Sequence, residues 1–106
     1  MIESDAAKTL SALAHPERLR AFRLLISKAP EGLSAGEVSA TLGIAPSLLT
    51  FHLGVLRQAG LVQSHRRQRS VIYVPSLERM QSVLEYLMND CCDGDPAVCG
   101  FLSNRG

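Results

Sequence analysis

Apolar residues recur every three or four positions along most of this chain, give way to two short extended runs, and then return to helical spacing. Ile2, Ala6, Leu10, Leu13 and Ala14 share one helical face, which predicts a first helix over 2–14. Ser4 is placed to cap it, with Asp5 in the first turn, where the helix dipole favours a carboxylate. His15-Pro16 breaks the chain, and Pro16 suits the first position of a second helix running to about Lys28, with Leu19, Phe22, Leu25 and Ile26 inward. Pro30-Glu31-Gly32 then turns the chain.

Ser34 and Glu37 have the spacing of a capping box, with Leu33 and Val38 at the flanking staple positions. They open a short third helix, which Gly43 stops after Leu42. The turn Gly43-Ile44-Ala45 leads to Pro46 and a fourth helix ending near Ala59, with Gly60 as its closing residue. Leu49, Leu53 and Leu56 form the inner stripe of that helix. Two short helices joined by a tight glycine-containing turn are the signature of a helix-turn-helix. Extended runs over Leu61–Arg66 and Ser70–Val74, on either side of Arg67-Gln68-Arg69, read as a basic hairpin. Ser76 caps a fifth helix with Glu78 in its first turn, whose apolar face holds Leu77, Met80, Val83, Leu84, Leu87 and Met88. The predicted fold class is α+β, mainly α: a winged helix-turn-helix of five helices and a β-hairpin wing, in one domain over 1–106.

At 106 residues a single core is marginal, so a partner chain would supply useful burial. No apolar run approaches the roughly 18 residues that span a bilayer, and the acidic, polar start is unlike a secretory signal. The expected location is the cytoplasm, with no membrane partner. The net charge of +1 hides an uneven distribution. Residues 38–77 carry Arg57, Arg66, Arg67 and Arg69 and no acid, a local charge of +4. Residues 78–106 carry Arg79 and Arg105 against Glu78, Glu85, Asp90, Asp93 and Asp95, a local charge of −3. A basic, acid-free middle is a candidate face for nucleic acid. The three cysteines, Cys91, Cys92 and Cys99, all lie in the acidic end, and an odd number argues against a secreted disulfide framework.

Leu13-Ala14-His15-Pro16-Glu17-Arg18-Leu19-Arg20, Thr50-Phe51-His52-Leu53 and Leu56-Arg57-Gln58-Ala59-Gly60-Leu61-Val62 resemble the ArsR/SmtB family of dimeric metal-sensing repressors, over roughly residues 6 to 90. The resemblance implies a homodimer built by the first and last helices. It also implies an apo form that binds an operator and a metal-bound form that releases it. The family's Cys-x-Cys pair on the third helix is missing, because Ala35 to Ala40 contains no cysteine. The His and acidic ligands of its last-helix site are not carried over either, because Leu77 to Asp90 contains no histidine. Cys91-Cys92 followed by Cys99 resembles instead the arsenite-responsive members with thiols at the C-terminal end.

The second helix of a helix-turn-helix enters the major groove. Ser47, Leu48, Thr50, Phe51 and His52 point away from the Leu49/Leu53/Leu56 stripe. Ser47, Thr50 and His52 carry hydrogen-bonding groups, while Leu48 and Phe51 suit thymine methyls or sugars. His52 is equally consistent with packing inside the motif, and Phe51 is read as packing rather than readout. Arg66, Arg67 and Arg69 at the wing suit phosphates or the minor groove, and Arg57 suits a phosphate or the helix dipole. A two-fold protein predicts double-stranded DNA with a near-palindromic operator, half-sites about one helical turn apart, and steep salt dependence.

Three thiolates are soft donors. As(III) binds three sulfurs in a pyramid, whereas structural zinc takes four ligands, and no fourth cysteine or nearby histidine follows Cys91. Neutral arsenous acid condenses with three thiols and releases water, so it tolerates Asp90, Asp93 and Asp95 beside them. These aspartates raise thiol pKa and blunt nucleophilicity, which argues against a reactive cysteine. Adjacent helical residues point about 100° apart, so Cys91 and Cys92 share an ion only where the helix ends, and Asp93-Gly94-Asp95-Pro96 supplies a break. The functional expectation is a DNA-binding repressor, not an enzyme, released by As(III) or Sb(III) bound to Cys91, Cys92 and Cys99. The alternatives within the fold are a Cd(II) or Pb(II) sensor and a thiol redox or persulfide sensor. A small thiol enzyme lacks a phosphate loop and any basic residue beside the cysteines. A winged helix used only for protein contacts fits poorly with the acid-free arginine stretch.

Overall fold

The computed structural model describes residues 1–89. The order of elements is α1 (Glu3–Leu13), α2 (Pro16–Ser27), β1 (Leu33–Ser34), α3 (Ala35–Leu42), α4 (Pro46–Gln58), β2 (Val62–Arg67), β3 (Ser70–Pro75) and α5 (Leu77–Asn89). This is the five-helix winged helix-turn-helix read from the sequence, with one added strand. β1 pairs antiparallel with β3 through Leu33↔Tyr73 and Ser34↔Ile72, giving a three-stranded sheet in the order β1-β3-β2. Two residues are too few to show strand periodicity, so Leu33 registers in sequence only as a staple residue. The pairing depends on Gly32, whose φ of +79° favours glycine and whose missing Cβ leaves room for the Tyr73 carbonyl.

The core gathers the inner faces of α2, α3 and α4 around Ala21, Phe22, Leu25, Val38, Leu49, Leu53, Leu56 and Leu61, all buried. Two expectations for α2 are corrected: Leu19 and Ile26 are exposed, and Ala21 takes the inward place beside Phe22 and Leu25. A small alanine lets the neighbouring backbone approach, and the stripe rotates accordingly. The predicted cap of α1 is also corrected. Ile2 is the N-cap residue and no side chain caps the helix, while Ser4 lies inside it. Ser76 caps α5 as expected, accepting from the Arg79 amide at 3.2 Å.

The helix-turn-helix corner is held by local bonds. Ser34 Oγ accepts from the Glu37 amide at 3.2 Å, and Glu37 Oε1 accepts from the Ser34 amide at 2.9 Å, completing the capping box. Gly43 at φ +69° ends α3 in the left-handed conformation. The chain then bends by 116° into α4. Buried Ser39 donates to the Ile44 carbonyl at 2.5 Å across this turn, satisfying a backbone acceptor that the bend takes out of the helix ladder. Among the described residues no single helix is long and apolar enough to cross a membrane.

The wing is β2 and β3 joined by Gln68-Arg69, one residue shorter at its tip than the sequence suggested, because Arg67 pairs with Ser70. Gln68 takes a φ of +56°, the positive value that a two-residue hairpin loop requires at its first position.

The capping box generates a stability prediction with a defined pH sense. The Ser34 amide, and then its hydroxyl, hold the Glu37 carboxyl below its ordinary value of 4.5. A lowered folded value means that this contribution is present above pH 4.5 and is lost as pH falls through the folded value. Ser34→Ala is expected to cost about 0.5–2 kcal/mol at neutral pH. In urea melts, the gap between wild type and Glu37→Gln should close as the pH drops below 4.5.

Candidate nucleic-acid interface

The inner stripe of α4 determines what its outer face shows. Leu49, Leu53 and Leu56 have no exposed surface, so the residues about half a turn round from them face solvent. Those are Ser47, Leu48, Thr50, Phe51, Arg57 and Gln58, all exposed, with Gly54 between them and half-buried. Phe51 is 62% exposed and Leu48 42%, so the expectation that Phe51 packs within the domain is corrected. Thr50 Oγ1 donates to the Pro46 carbonyl at 2.9 Å and so faces outward mainly with its methyl and its acceptor. No side chain caps α4 at Ala45, which leaves its first amides and the positive end of the helix dipole available to an anion.

Of the two readings of His52, the structure matches packing inside the motif. The residue is 2% exposed, and both ring nitrogens are occupied within the chain. Nε2 lies 3.1 Å from Glu17 Oε1, and Nδ1 lies 3.2 Å from Arg18 Nη1. A neutral ring protonated on Nε2 satisfies both bonds, donating to the carboxylate and accepting from the guanidinium. Arg18 Nε also donates to the Ala12 carbonyl at 2.6 Å, and His15 stacks obliquely on His52 with ring centroids 4.6 Å apart. The end of α1, the start of α2 and the middle of α4 are thereby tied at one point. His52 holds the reading helix and does not itself reach a base. Sequence reading missed Glu17 and Arg18 as its partners, because the pairing spans 35 residues and no local spacing signals it.

The ligand atoms of His15, Glu17 and His52 lie within 4.8 Å of one another. They are poorly arranged for a cation. His15 Nδ1 accepts from the Glu17 amide at 3.2 Å, both His52 nitrogens are engaged, and Arg18 brings positive charge to the same point. The cluster acts as a hydrogen-bonded bracket.

The wing supplies charge. Arg66, Arg67 and Arg69 are exposed at the end of β2 and in the hairpin turn. Arg57, in the last turn of α4, donates through Nη1 to Ser64 Oγ at 3.4 Å and so links the helix to the wing. The stretch that builds α4 and the wing contains no carboxylate. Cys91, Cys92 and Cys99 lie outside the described residues.

A reading helix set by the corner, an uncapped helix N-terminus and an arginine-bearing wing define a winged helix-turn-helix domain. The comparisons agree. A helix-turn-helix domain family matches residues 13–65. The HTH-type transcriptional regulator YgaV of Escherichia coli is 34% identical over 83% of this chain and 87% of its own. The structure of HlyU from Vibrio cholerae superposes with a TM-score of 0.65 at 32% identity, covering 82% of this chain and 97% of that one; HlyU is described as a transcriptional activator. An ArsR-like transcriptional regulator from Rhodococcus has the same fold, with a TM-score of 0.78 at 19% identity over 92% of this chain and 90% of its own. The chain belongs to the helix-turn-helix domain family and is a DNA-binding transcriptional regulator, not an enzyme, with the fold of ArsR-like regulators.

The bracket yields a direct test. His52→Ala strands the Glu17 carboxylate and the Arg18 guanidinium at a partly buried point. A hydrogen bond to a charged group is worth about 1.5–3 kcal/mol, and chemical denaturation should show a loss of that order. DNA affinity should fall with it, since the reading helix loses its tie to α2.

Proposed function

We propose that this protein is a cytoplasmic, homodimeric repressor that leaves a near-palindromic operator when As(III) or Sb(III) is held by Cys91, Cys92 and Cys99. The observation that carries the reading is the position of the thiols. All three cysteines fall in an acidic segment that begins within two residues of the end of α5. Their number suits a three-coordinate, thiophilic ion, and the surrounding aspartates suit a ligand that arrives as a neutral hydroxide.

Dimerisation through α1 and α5 is supported by what these helices leave uncovered. Val83 is the buried residue of α5, while Leu77, Leu84 and Leu87 are exposed. Leu77, Met80 and Leu84 line an apolar groove with Gln81 and Glu85, and Ile2 and Leu10 of α1 are exposed as well. Faces of this kind are normally covered by a partner. In this reading Ser47, Leu48, Thr50 and Phe51 meet the major groove, and Arg57, Arg66, Arg67 and Arg69 meet phosphates or the minor groove. Capture of the ion beside α5 alters how the two last helices pack, and the two reading helices lose their operator spacing. Coupling of this sort is typically about 1–3 kcal/mol and is reciprocal, so DNA weakens ion binding by the same factor.

The test is fluorescence anisotropy of labelled operator under full reduction, titrated with arsenite, antimonite, cadmium or lead. Arsenite or antimonite should release the DNA. Cys91→Ser, Cys92→Ser and Cys99→Ser should each keep DNA affinity and lose the response. Release by cadmium or lead alone, or only on oxidation, sinks the assignment of the inducer. Transcription from a reporter fixes the sign of control, which should be repression.

The dimer is tested separately. Leu84→Glu places a charge on the exposed apolar face of α5, and sedimentation should show a shift to monomer with operator affinity falling at least tenfold. A variant that stays dimeric would place the interface elsewhere.

A further inference from the structure

We infer that α4 reads its DNA chiefly by apolar contact with thymine methyl groups, through Phe51 and Leu48, with Gly54 allowing the close approach. The inference rests on the DNA-binding role proposed above and specifies what the reading helix recognises.

The first argument is from the functional groups available. The side chains that read guanine or adenine by paired hydrogen bonds are Arg, Lys, Asn and Gln. None of these occurs between Pro46 and Leu56. His52 is withdrawn into the bracket with Glu17 and Arg18. Thr50 spends its proton on Pro46. Ser47 remains as a hydroxyl reader and Thr50 as an acceptor; the rest of the outer face between Pro46 and Leu56 is carbon, with Arg57 and Gln58 beyond it in the last turn. The thymine methyl is the apolar group that a base pair presents in the major groove, and it is what such a surface can tell apart.

The second argument is from exposure and orientation. At 100° per residue, Phe51 lies within about 40° of the direction opposite Leu56, near the centre of the outer face. A phenyl ring 62% exposed there gains nothing within the free domain. It is nevertheless supported, since its ring rests on that of His52 with centroids 5.7 Å apart. The bracket that fixes His52 thus also orients Phe51.

The third argument is independent of both. Gly54 lies one turn beyond Phe51, in the interior of α4, where glycine is the poorest helix former after proline. Its φ is not positive, and a Cβ built there meets nothing within 4 Å, so nothing among the described residues requires glycine. A glycine kept at such a position, on the face that enters the groove, is explained by the close approach of another molecule. A polyanion is the molecule that fits, since residues 38–77 carry Arg57, Arg66, Arg67 and Arg69 and no acid.

The test uses the full-length wild-type protein and a duplex it enriches from a random pool. Thymines within the half-sites are replaced by deoxyuridine, which removes the methyl and keeps every hydrogen-bonding group. Burial of one methyl is worth about a fourfold change in affinity, so each contacted thymine replaced should weaken binding about fourfold. Phe51→Ala should lose part of the preference for thymine over deoxyuridine, and Phe51→Ala with Leu48→Ala should bind the two duplexes alike. Gly54→Ala should raise the urea midpoint of the free protein and weaken DNA binding at least tenfold. Equal binding of the two duplexes by wild type overturns the inference, as do half-sites without thymine or discrimination that survives the double variant. A Gly54→Ala variant with unchanged DNA affinity overturns the close-approach role. If no duplex is enriched at all, it is the DNA-binding reading that fails.

Discussion

The inner stripe of α4 is the constraint on which the rest of the molecule depends. Leu49, Leu53 and Leu56 are fully buried against a core shared with α2 and α3. Each such leucine contributes roughly 1.5–3 kcal/mol, and the three together outweigh any single polar contact made by this helix. The stripe therefore secures α4 to the domain. It also sets which side of the helix faces inward, and His52, held between Glu17 and Arg18 with Arg18 reaching back to Ala12, pins that angle. Hydrophobic burial provides the adhesion and the inward side, and a directional polar bracket holds the angle. The exposed face of the reading helix follows from both.

The same division of labour recurs at the corner and the wing. The capping box and the Ser39–Ile44 bond determine where α3 ends and how the chain turns into α4. Arg57 joins the end of α4 to β2 through Ser64, linking the helix to the wing. Phosphate attraction supplies affinity without sequence preference, and base contacts supply preference. In the proposed reading the arginines of the wing and the end of α4 meet phosphates and the apolar residues of α4 meet bases. The apolar face left open on α5, next to the sequence that carries the thiols, places the proposed dimer contact and the proposed ligand site side by side in the chain.

Much of this protein was legible in its sequence. Five helices, the capping box at Ser34 and Glu37, the glycine stops at Gly43 and Gly60, and the hairpin all rest on local rules of spacing and backbone preference. Those rules act over a few residues, so they can be read from a string. The charge division was equally plain, because charge is a property of composition. What could not be read were relations between distant segments. The bracket joins residues 17, 18 and 52; β1 exists only because β3 lies beside it; and the inward places on α2 went to Ala21 rather than to Leu19 and Ile26, a choice made by the neighbour and not by the helix.

The most instructive differences are on one helical turn. Spacing alone placed both Phe51 and His52 near the outer face of α4; residue type suggested that the aromatic packs and left the imidazole between packing and DNA contact. The structure puts the imidazole inside, between two charged partners, and leaves the phenyl ring exposed. The sequence by itself determined the elements, their caps and the distribution of charge, since each depends on near neighbours. Only the tertiary structure decided that His52 turns inward on α4, because that choice depends on partners 34 and 35 positions away.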